Sequence, residues 1–178
     1  RNEQPISGTP TDSGVSATSA RADAAEITGQ YFFPVAGEKL GKYEIQSVLG
    51  HGGMGVVFQA WDPDLHRSVA IKILGPQLAM SSTARRRFLR EARAAASISH
   101  PNVLTVHAVE QHKDFPFMVM EHVAGKTLKS HVSQHGPLDS IEAVRLSHQI
   151  ALGLAAAHVQ GVIHRDVKPG NVMLDEGS

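Results

Sequence analysis

The stretch Gly50-His51-Gly52-Gly53-Met54-Gly55 runs directly into Val56-Val57-Phe58-Gln59-Ala60-Trp61, and this continuation restricts the fold more than the glycines do. A G-x-G-x-x-G motif alone is shared by dinucleotide-binding folds and many plain turns. In a dinucleotide site the last glycine opens a helix, and an acidic residue follows about twenty positions on. Here Gly55 opens a strand pattern, and the later region holds Lys72 instead. The glycines therefore read as the tip of an antiparallel hairpin. Lacking Cβ atoms, they would let backbone N–H groups approach phosphate oxygens closely, although a plain hairpin turn explains the motif taken alone.

Strand-like patterns lie on either side of the turn: YEIQSVL over 43–49, VVFQAW over 56–61 and SVAIKIL over 68–74, each bounded by Gly, Pro or Asp. They predict an antiparallel meander. Residues 81–98 are rich in Ala, Arg, Leu and Glu, and Phe88, Leu89, Ala92, Ala95 and Ala96 recur at helical spacing to give an inward face. His100-Pro101-Asn102 breaks that helix. VLTVHAVE over 103–110 and FPFMVME over 115–121 then supply two more strands, joined through residues 111–114. Past Gly125 the period turns helical: a short helix over about 126–134, then a longer one opening at Asp139 and running to about 159. Glu142 stands three residues after Asp139, as in a capping box. Sheet first and helices second make an α+β fold, with a five-stranded antiparallel sheet and one helix in the first half.

Length and composition narrow the rest. At 178 residues and 42% hydrophobic content the chain suffices for one ordinary domain. Lys plus Arg and Asp plus Glu both number 17, so no strong field points to nucleic acid or a membrane surface as the main partner. With no cysteine, a disulfide framework, a thiolate metal site and a cysteine nucleophile are excluded. No apolar run reaches the roughly eighteen residues of a membrane span. Residues 1–42 are expected to be a disordered leader ahead of a domain over 43–178. Its first 30 residues hold too few large apolar groups to offset ordering entropy and read as disordered, and an initial Arg in place of Met points to a cut or processed end. Tyr31-Phe32-Phe33-Pro34 is an apolar patch, either docked on the domain or solvated.

Lys72 lies in VAIK, an otherwise apolar strand where a cation is costly unless it is paired or meets a ligand anion. Glu91, in FLREARAA, can supply the opposite charge and turn the ammonium toward phosphates. A snorkelling lysine, and a glutamate bonded to its helical neighbours, is the other reading. Arg85, Arg86, Arg87, Arg90 and Arg93 read as a solvated basic face rather than a nucleic-acid site. His131 and His135, four apart, can share a helix face as a metal pair, but no third ligand at suitable spacing is evident.

The most specific signal is His164-Arg165-Asp166-Val167-Lys168-Pro169-Gly170-Asn171. A chance match to its fixed positions is on the order of one in ten thousand. Asp166 suits accepting a proton from, or orienting, a hydroxyl nucleophile; Lys168 suits neutralising a transferring phosphate; Asn171 suits holding a metal ion through its amide oxygen. Together these are parts of phosphoryl transfer.

Taken in order, the glycine loop, VAIK, the helix glutamate, HPN and HRDVKPGN resemble the signature of bacterial eukaryotic-like (Hanks-type) serine/threonine protein kinases, over about 43–174. The resemblance implies a protein-kinase fold with a complete small lobe over 43–121, a hinge at 122–125 and the start of a helical large lobe over 126–178. It implies ATP and Mg2+ as cofactors. Gly50, His51, Gly52, Gly53, Met54, Gly55 and Val56 would cover the nucleotide, Leu49, Val57 and Ala70 would roof the adenine, and Met173 would form its floor. Met120 would be the gatekeeper, and the backbone of Glu121 and Val123 would bond the base. Lys72 paired with Glu91 would hold phosphates, Asp166 and Lys168 would be catalytic, and Asn171 would be a metal ligand. Lys168 two residues after Asp166 looks like the serine/threonine form of the loop, and Arg165 resembles the arginine that binds a phosphorylated activation loop. His100 and His164 would be structural. The implied partners are proteins with Ser or Thr acceptors, with self-association for autophosphorylation in a longer parent and no nucleic acid. The implied location is cytoplasmic, with membrane anchoring of the parent left open.

The D-F-G segment, whose aspartate holds the bridging metal, and the A-P-E segment do not occur in these 178 residues. The expectation is a truncated piece of an active kinase, inactive by itself, with Ile141, Val144, Ile150 and Leu154 forming an uncovered apolar face. A nucleotide-binding pseudokinase or interaction module without catalysis, and a small-molecule phosphotransferase, are the alternatives. The co-occurrence of Asp166, Lys168 and Asn171 speaks against the first, and VMEHVAGKTL with the Lys168-Pro169 pair against the second.

Overall fold

The computed structural model describes residues 33–113 and 115–175. Residues 1–32 of the expected disordered leader, with the Tyr31-Phe32 half of the apolar patch, lie outside them, whereas residues 33–42 of that leader lie within. Within the unit Pro34–Ser178, the strands are β1 (Lys39–Leu40), β2 (Tyr43–Gly52), β3 (Gly55–Asp62), β4 (Arg67–Leu74), β5 (Val106–His112) and β6 (Phe115–Glu121). They form one sheet in the order β1-β2-β3-β4-β6-β5, and every neighbouring pair is antiparallel.

Six strands stand where five were expected. The extra one, β1, is two residues long, too short for alternation to be visible. Gly41 at φ 59° turns it back so that Leu40 pairs with Tyr43, and Leu40 is buried. The backbone ladder continues before it, with Gly37 N–H donating to Ile45 O at 2.8 Å and Ile45 N–H to Glu38 O at 2.9 Å. The folded domain thus takes in part of the expected leader, Lys39–Leu40 included, ahead of the expected domain start at Tyr43.

The core follows from the period of two. Along β3, Val56, Phe58, Ala60 and Asp62 are buried while their neighbours are half-exposed. The ladder aligns Phe58 with Ile71 and Ile71 with Val119, and Tyr43 meets Phe117 edge to face at 6.1 Å. Each such fully buried side chain contributes about 1.5–3 kcal/mol of transfer free energy. Asp62 is buried but satisfied: its carboxylate accepts from the N–H groups of Asp64 and Leu65 in the β3–β4 turn and from Lys42 Nζ at 3.3 Å.

Two helices follow β4. After α1 (Pro76–Met80), α2 (Ser82–Ala96) starts where Ser81 Oγ accepts from Ala84 N–H at 3.3 Å. It seats Phe88 and Ala92 against β5 and β6, whereas Ala96, expected inward, is exposed in the last turn.

The second half carries β7 (Gly125–Thr127), α3 (Leu128–His135), α4 (Ser140–Val159), a 3-10 turn at Pro169–Asn171 and β8 (Met173–Asp175), which pairs with β7. Thr127 and Asp139 cap the two helices, Asp139 Oδ1 accepting from Glu142 N–H at 2.8 Å. Gly153 of α4 is buried against the HPN linker: a Cβ there would lie 2.7 Å from Asn102 O. This contact joins the helical part to the sheet. Of the expected apolar face, Ile141 and Val144 are 83% and 70% exposed, while Ile150 and Leu154 are half-buried. No described helix is long and apolar enough to cross a membrane.

Candidate active site

The loop after α4 gathers the three groups of the HRDVKPGN motif. The helix ends as Gly161, at φ 71°, lets the chain reverse, with the N–H groups of Gly161 and Val162 donating to His158 O and Ala157 O. Lys168, directly before the 3-10 turn at Pro169–Asn171, closes an ion pair with Asp166, Nζ to Oδ2, at 2.7 Å. The 3-10 turn, with Pro169 pre-set at its start and Asn171 N–H donating to Lys168 O, brings Asn171 around to the same carboxylate. Asn171 Nδ2 donates to Asp166 Oδ2 at 3.1 Å and to Asp166 O at 2.8 Å.

These bonds leave two acceptors turned outward. Asp166 Oδ2 is shared by Lys168 and Asn171, so no described residue bonds Oδ1. Asn171 uses its amide nitrogen on Asp166, so its Oδ1 is open to a cation. Asp166, Lys168 and Asn171 are all exposed. Lys168, then Asn171, hold the Asp166 carboxyl below the usual aspartate range against a smaller opposing effect of desolvation. A carboxylate stabilised in this way is a hydrogen-bond acceptor that orients a hydroxyl more than it is a strong base. Arg165 sits at φ 62°, and Asp166 N–H donates to His164 Nδ1 at 3.3 Å, so the residues flanking Asp166 hold the backbone that presents it.

Across the sheet, the ladder assembles a second set. Gly50, Val57, Lys72 and Met118 are cross-strand partners in one row, and Gln59, Ala70 and Met120 in the next. Side chains in such rows share a face, as do residues two apart on one strand. Val57, Ala70, Lys72 and Met120 therefore stand together. Val56 does not: it pairs with Ile73, and its side chain is buried on the opposite face. The glycine tip is a hairpin in which Gly52 pairs with Gly55 around Gly53-Met54. His51, Gly52, Gly53 and Met54 are exposed, and Leu49 projects at a register irregularity between Val48 and Gly50. Glu121 closes β6 with its N–H bonded to Thr105 O at 2.9 Å, and half-buried Val123 follows before β7. Met173 pairs with Thr127 in β8.

One expected contact is not formed. Glu91 Oε1 bonds Arg87 Nε at 2.7 Å, and no ion pair reaches Lys72 among the described residues. The two partners lie i and i+4 on α2, where helical geometry brings them together at little entropic cost, and both are largely solvated. The reading in which Glu91 bonds its helical neighbour is the one realised here.

Two site-building residues escaped the sequence reading. Gly125 lets β7 approach Leu174 O so closely that any Cβ would collide, and Gly153 does the same for Asn102 O. A glycine inside a helix pattern was the available signal for Gly153.

Comparison with known proteins decides the family. The protein kinase domain model matches residues 43–178. The chain belongs to the protein kinase domain family. Among curated kinases, the serine/threonine-protein kinase PrkC of Bacillus subtilis is 42% identical over 135 residues, 76% of this chain and 21% of PrkC. The kinase domain of Mycobacterium tuberculosis PknI superposes with a TM-score of 0.72 at 32% identity, over 82% of this chain and 60% of that one. Rad53 in complex with AMP-PNP gives a TM-score of 0.66 at 26% identity, over 76% of this chain and 35% of that one. The chain thus spans about a fifth of the length of the curated kinases it matches, PrkC among them.

Proposed function

We propose that this chain supplies the nucleotide-binding sheet and catalytic loop of a kinase that transfers the γ-phosphoryl group of ATP to Ser or Thr hydroxyls of proteins. The observation that carries the reading is the Asp166 carboxylate, fixed by Lys168 at 2.7 Å and Asn171 at 3.1 Å with one oxygen left open. In this reading Asp166 Oδ1 accepts the hydroxyl hydrogen and aims the oxygen, Lys168 neutralises charge on the transferring group, and Asn171 would hold a magnesium ion through its amide oxygen. When bound, that ion would neutralise charge on the phosphates. The backbone N–H groups from Gly50 to Gly55 would cradle phosphates, and Leu49, Val57, Ala70, Met120 and Met173 would enclose adenine against the backbone of Glu121 and Val123. Val56 would contribute through its backbone. Lys72 would bind phosphate oxygens, with Glu91 exchanging Arg87 for Lys72.

The names of the curated kinase relative and of the Rad53 complex with an ATP analogue support a serine/threonine kinase that uses ATP. A cytoplasmic domain and self-association for autophosphorylation belong to the same proposal. The test is Lys72→Ala in the natural product that contains this chain. Phosphate transfer should fall by orders of magnitude while the unfolding curve is unchanged. Wild-type turnover in that variant would sink the assignment.

A further inference from the structure

We propose that α3 carries a site for a first-row transition-metal ion, Zn2+, Ni2+ or Cu2+, formed by the Nε2 atoms of His131 and His135 and separate from Asn171. The two imidazoles are stacked on one side of the helix, with centroids 4.6 Å apart and planes 25° from parallel. Residues four apart are neighbours on a helix, and although stacked rings hold their in-plane lone pairs side by side, one ion reaches both once the His131 ring turns its Nε2 toward that of His135. His135 Nδ1 lies 3.0 Å from His131 O. A carbonyl can only accept, so Nδ1 carries the proton and Nε2 keeps its lone pair. Metal-binding histidines are commonly oriented in this way, the other ring nitrogen donating to a carbonyl or carboxylate. No described residue bonds the ring nitrogens of His131.

The site is open to solvent, since His131 is half-buried and His135 exposed. Ser130 and Gln134 are engaged with each other, and Gln134 also with Lys126, so they leave the imidazoles free. Among the described residues no group of three or more His, Cys, Asp or Glu side chains gathers, so water completes the coordination. Two nitrogen donors and water suit borderline ions. They do not suit Mg2+ or Ca2+, which take oxygen ligands. The position gives occupancy a consequence. Leu128 N–H, in the first turn of α3, donates to Val172 O at 2.8 Å, next to Asn171. An ion spanning His131 and His135 binds the helical form and stabilises α3 against fraying by mass action.

The ring-to-carbonyl bond would also arise as a simple capping contact at the end of α3, and metal binding separates the two accounts. Zn2+ and Ni2+ are titrated calorimetrically into the full 178-residue chain and into His131→Ala, His135→Ala and, as a control for the other histidines, His148→Ala. The expected result is one ion per chain at micromolar affinity, weakened about tenfold or more by either α3 substitution. His148→Ala should leave it unchanged, and excess Mg2+ should not compete. Cu2+ on the wild-type chain should show two nitrogen ligands by electron paramagnetic resonance, a readout independent of how the variants fold. No binding by the wild type, or unchanged affinity in both α3 variants, would overturn the proposal.

Discussion

Gly55→Ala should unfold the nucleotide-side hairpin far more readily than alanine at its neighbouring glycines. Gly55 stands at φ 149°, and a Cβ there would lie 2.8 Å from Gly75 N and 2.9 Å from Ile73 C, closer still to Ile73 O. Ordinary contact begins near 3.4 Å, so β4 would have to retreat by at least about half an ångström. That motion pulls on the pairing of Gly55 with Leu74 and on the 2.9 Å bond from Gly75 N–H to Met54 O. Overpacking costs about 1–3 kcal/mol and a disfavoured backbone conformation about 1–3 more. Stiffening of the unfolded chain offsets about 0.4–1 kcal/mol. A net loss of about 3 kcal/mol is a large share of the 5–15 kcal/mol typical of a domain. At Gly50 and Gly53 a Cβ would meet nothing within 4 Å, and neither has positive φ. Alanine there should leave stability within about 1 kcal/mol, yet weaken nucleotide affinity if backbone approach to phosphates is what these positions serve. Urea unfolding of the three variants measures the first quantity, and titration with ATP and Mg2+ the second. A Gly55→Ala variant as stable as wild type, or a Gly53→Ala variant as unstable as Gly55→Ala, would refute the reasoning.

Gly153→Ala gains about 1 kcal/mol of helix propensity but drives a methyl to 2.7 Å from Asn102 O. Urea midpoints should show a net loss of about 1–2 kcal/mol, and a gain would mean the linker can give way. Tyr43 is buried with its hydroxyl donating to Glu110 at 2.7 Å, and burial, then Glu110, push its ionisation well above the ordinary tyrosine value. A raised folded-state value means stability that is intact below the unfolded value near pH 10 and lost as pH rises above it. Tyr43→Phe should cost about 1.5–3 kcal/mol at neutral pH and flatten the alkaline fall of the stability curve. Asp166 is shifted the other way, chiefly by Lys168. NMR titration should find its carboxyl ionised down to lower pH than an ordinary aspartate, and Lys168→Ala should move it upward; no movement would count against the ion pair.

Much of this was legible because period and punctuation agree. Alternation in VVFQAW and SVAIKIL, and the breaks at Gly50 to Gly55 and His100-Pro101-Asn102, are local signals, and the strands and helices fall where they point. Asp139 with Glu142 marked the start of α4 because a cap is read within four residues. What was missed depends on contacts distant in sequence. β1 exists because β2 is there to pair with it, and Gly125 and Gly153 are needed only because Leu174 and Asn102 approach them. The Lys72 to Glu91 pair follows from the need of a strand cation for an anion and from motif order, while the local i to i+4 pair of Arg87 and Glu91 is what the helix forms. Val56 shows the limit of assigning a contiguous run to a ligand, since alternation turns every second side chain away.

The central claim is that Asp166, held by Lys168 and Asn171, orients a protein hydroxyl for transfer from ATP. It is tested most directly by phosphoamino-acid analysis of a protein substrate incubated with γ-labelled ATP and the natural product containing this chain, as wild type and as Asp166→Asn. Label on serine and threonine in the wild type, with transfer reduced by orders of magnitude in Asp166→Asn while ATP affinity is kept, is the predicted result. Unchanged transfer in Asp166→Asn, or label confined to a small-molecule acceptor, would contradict it.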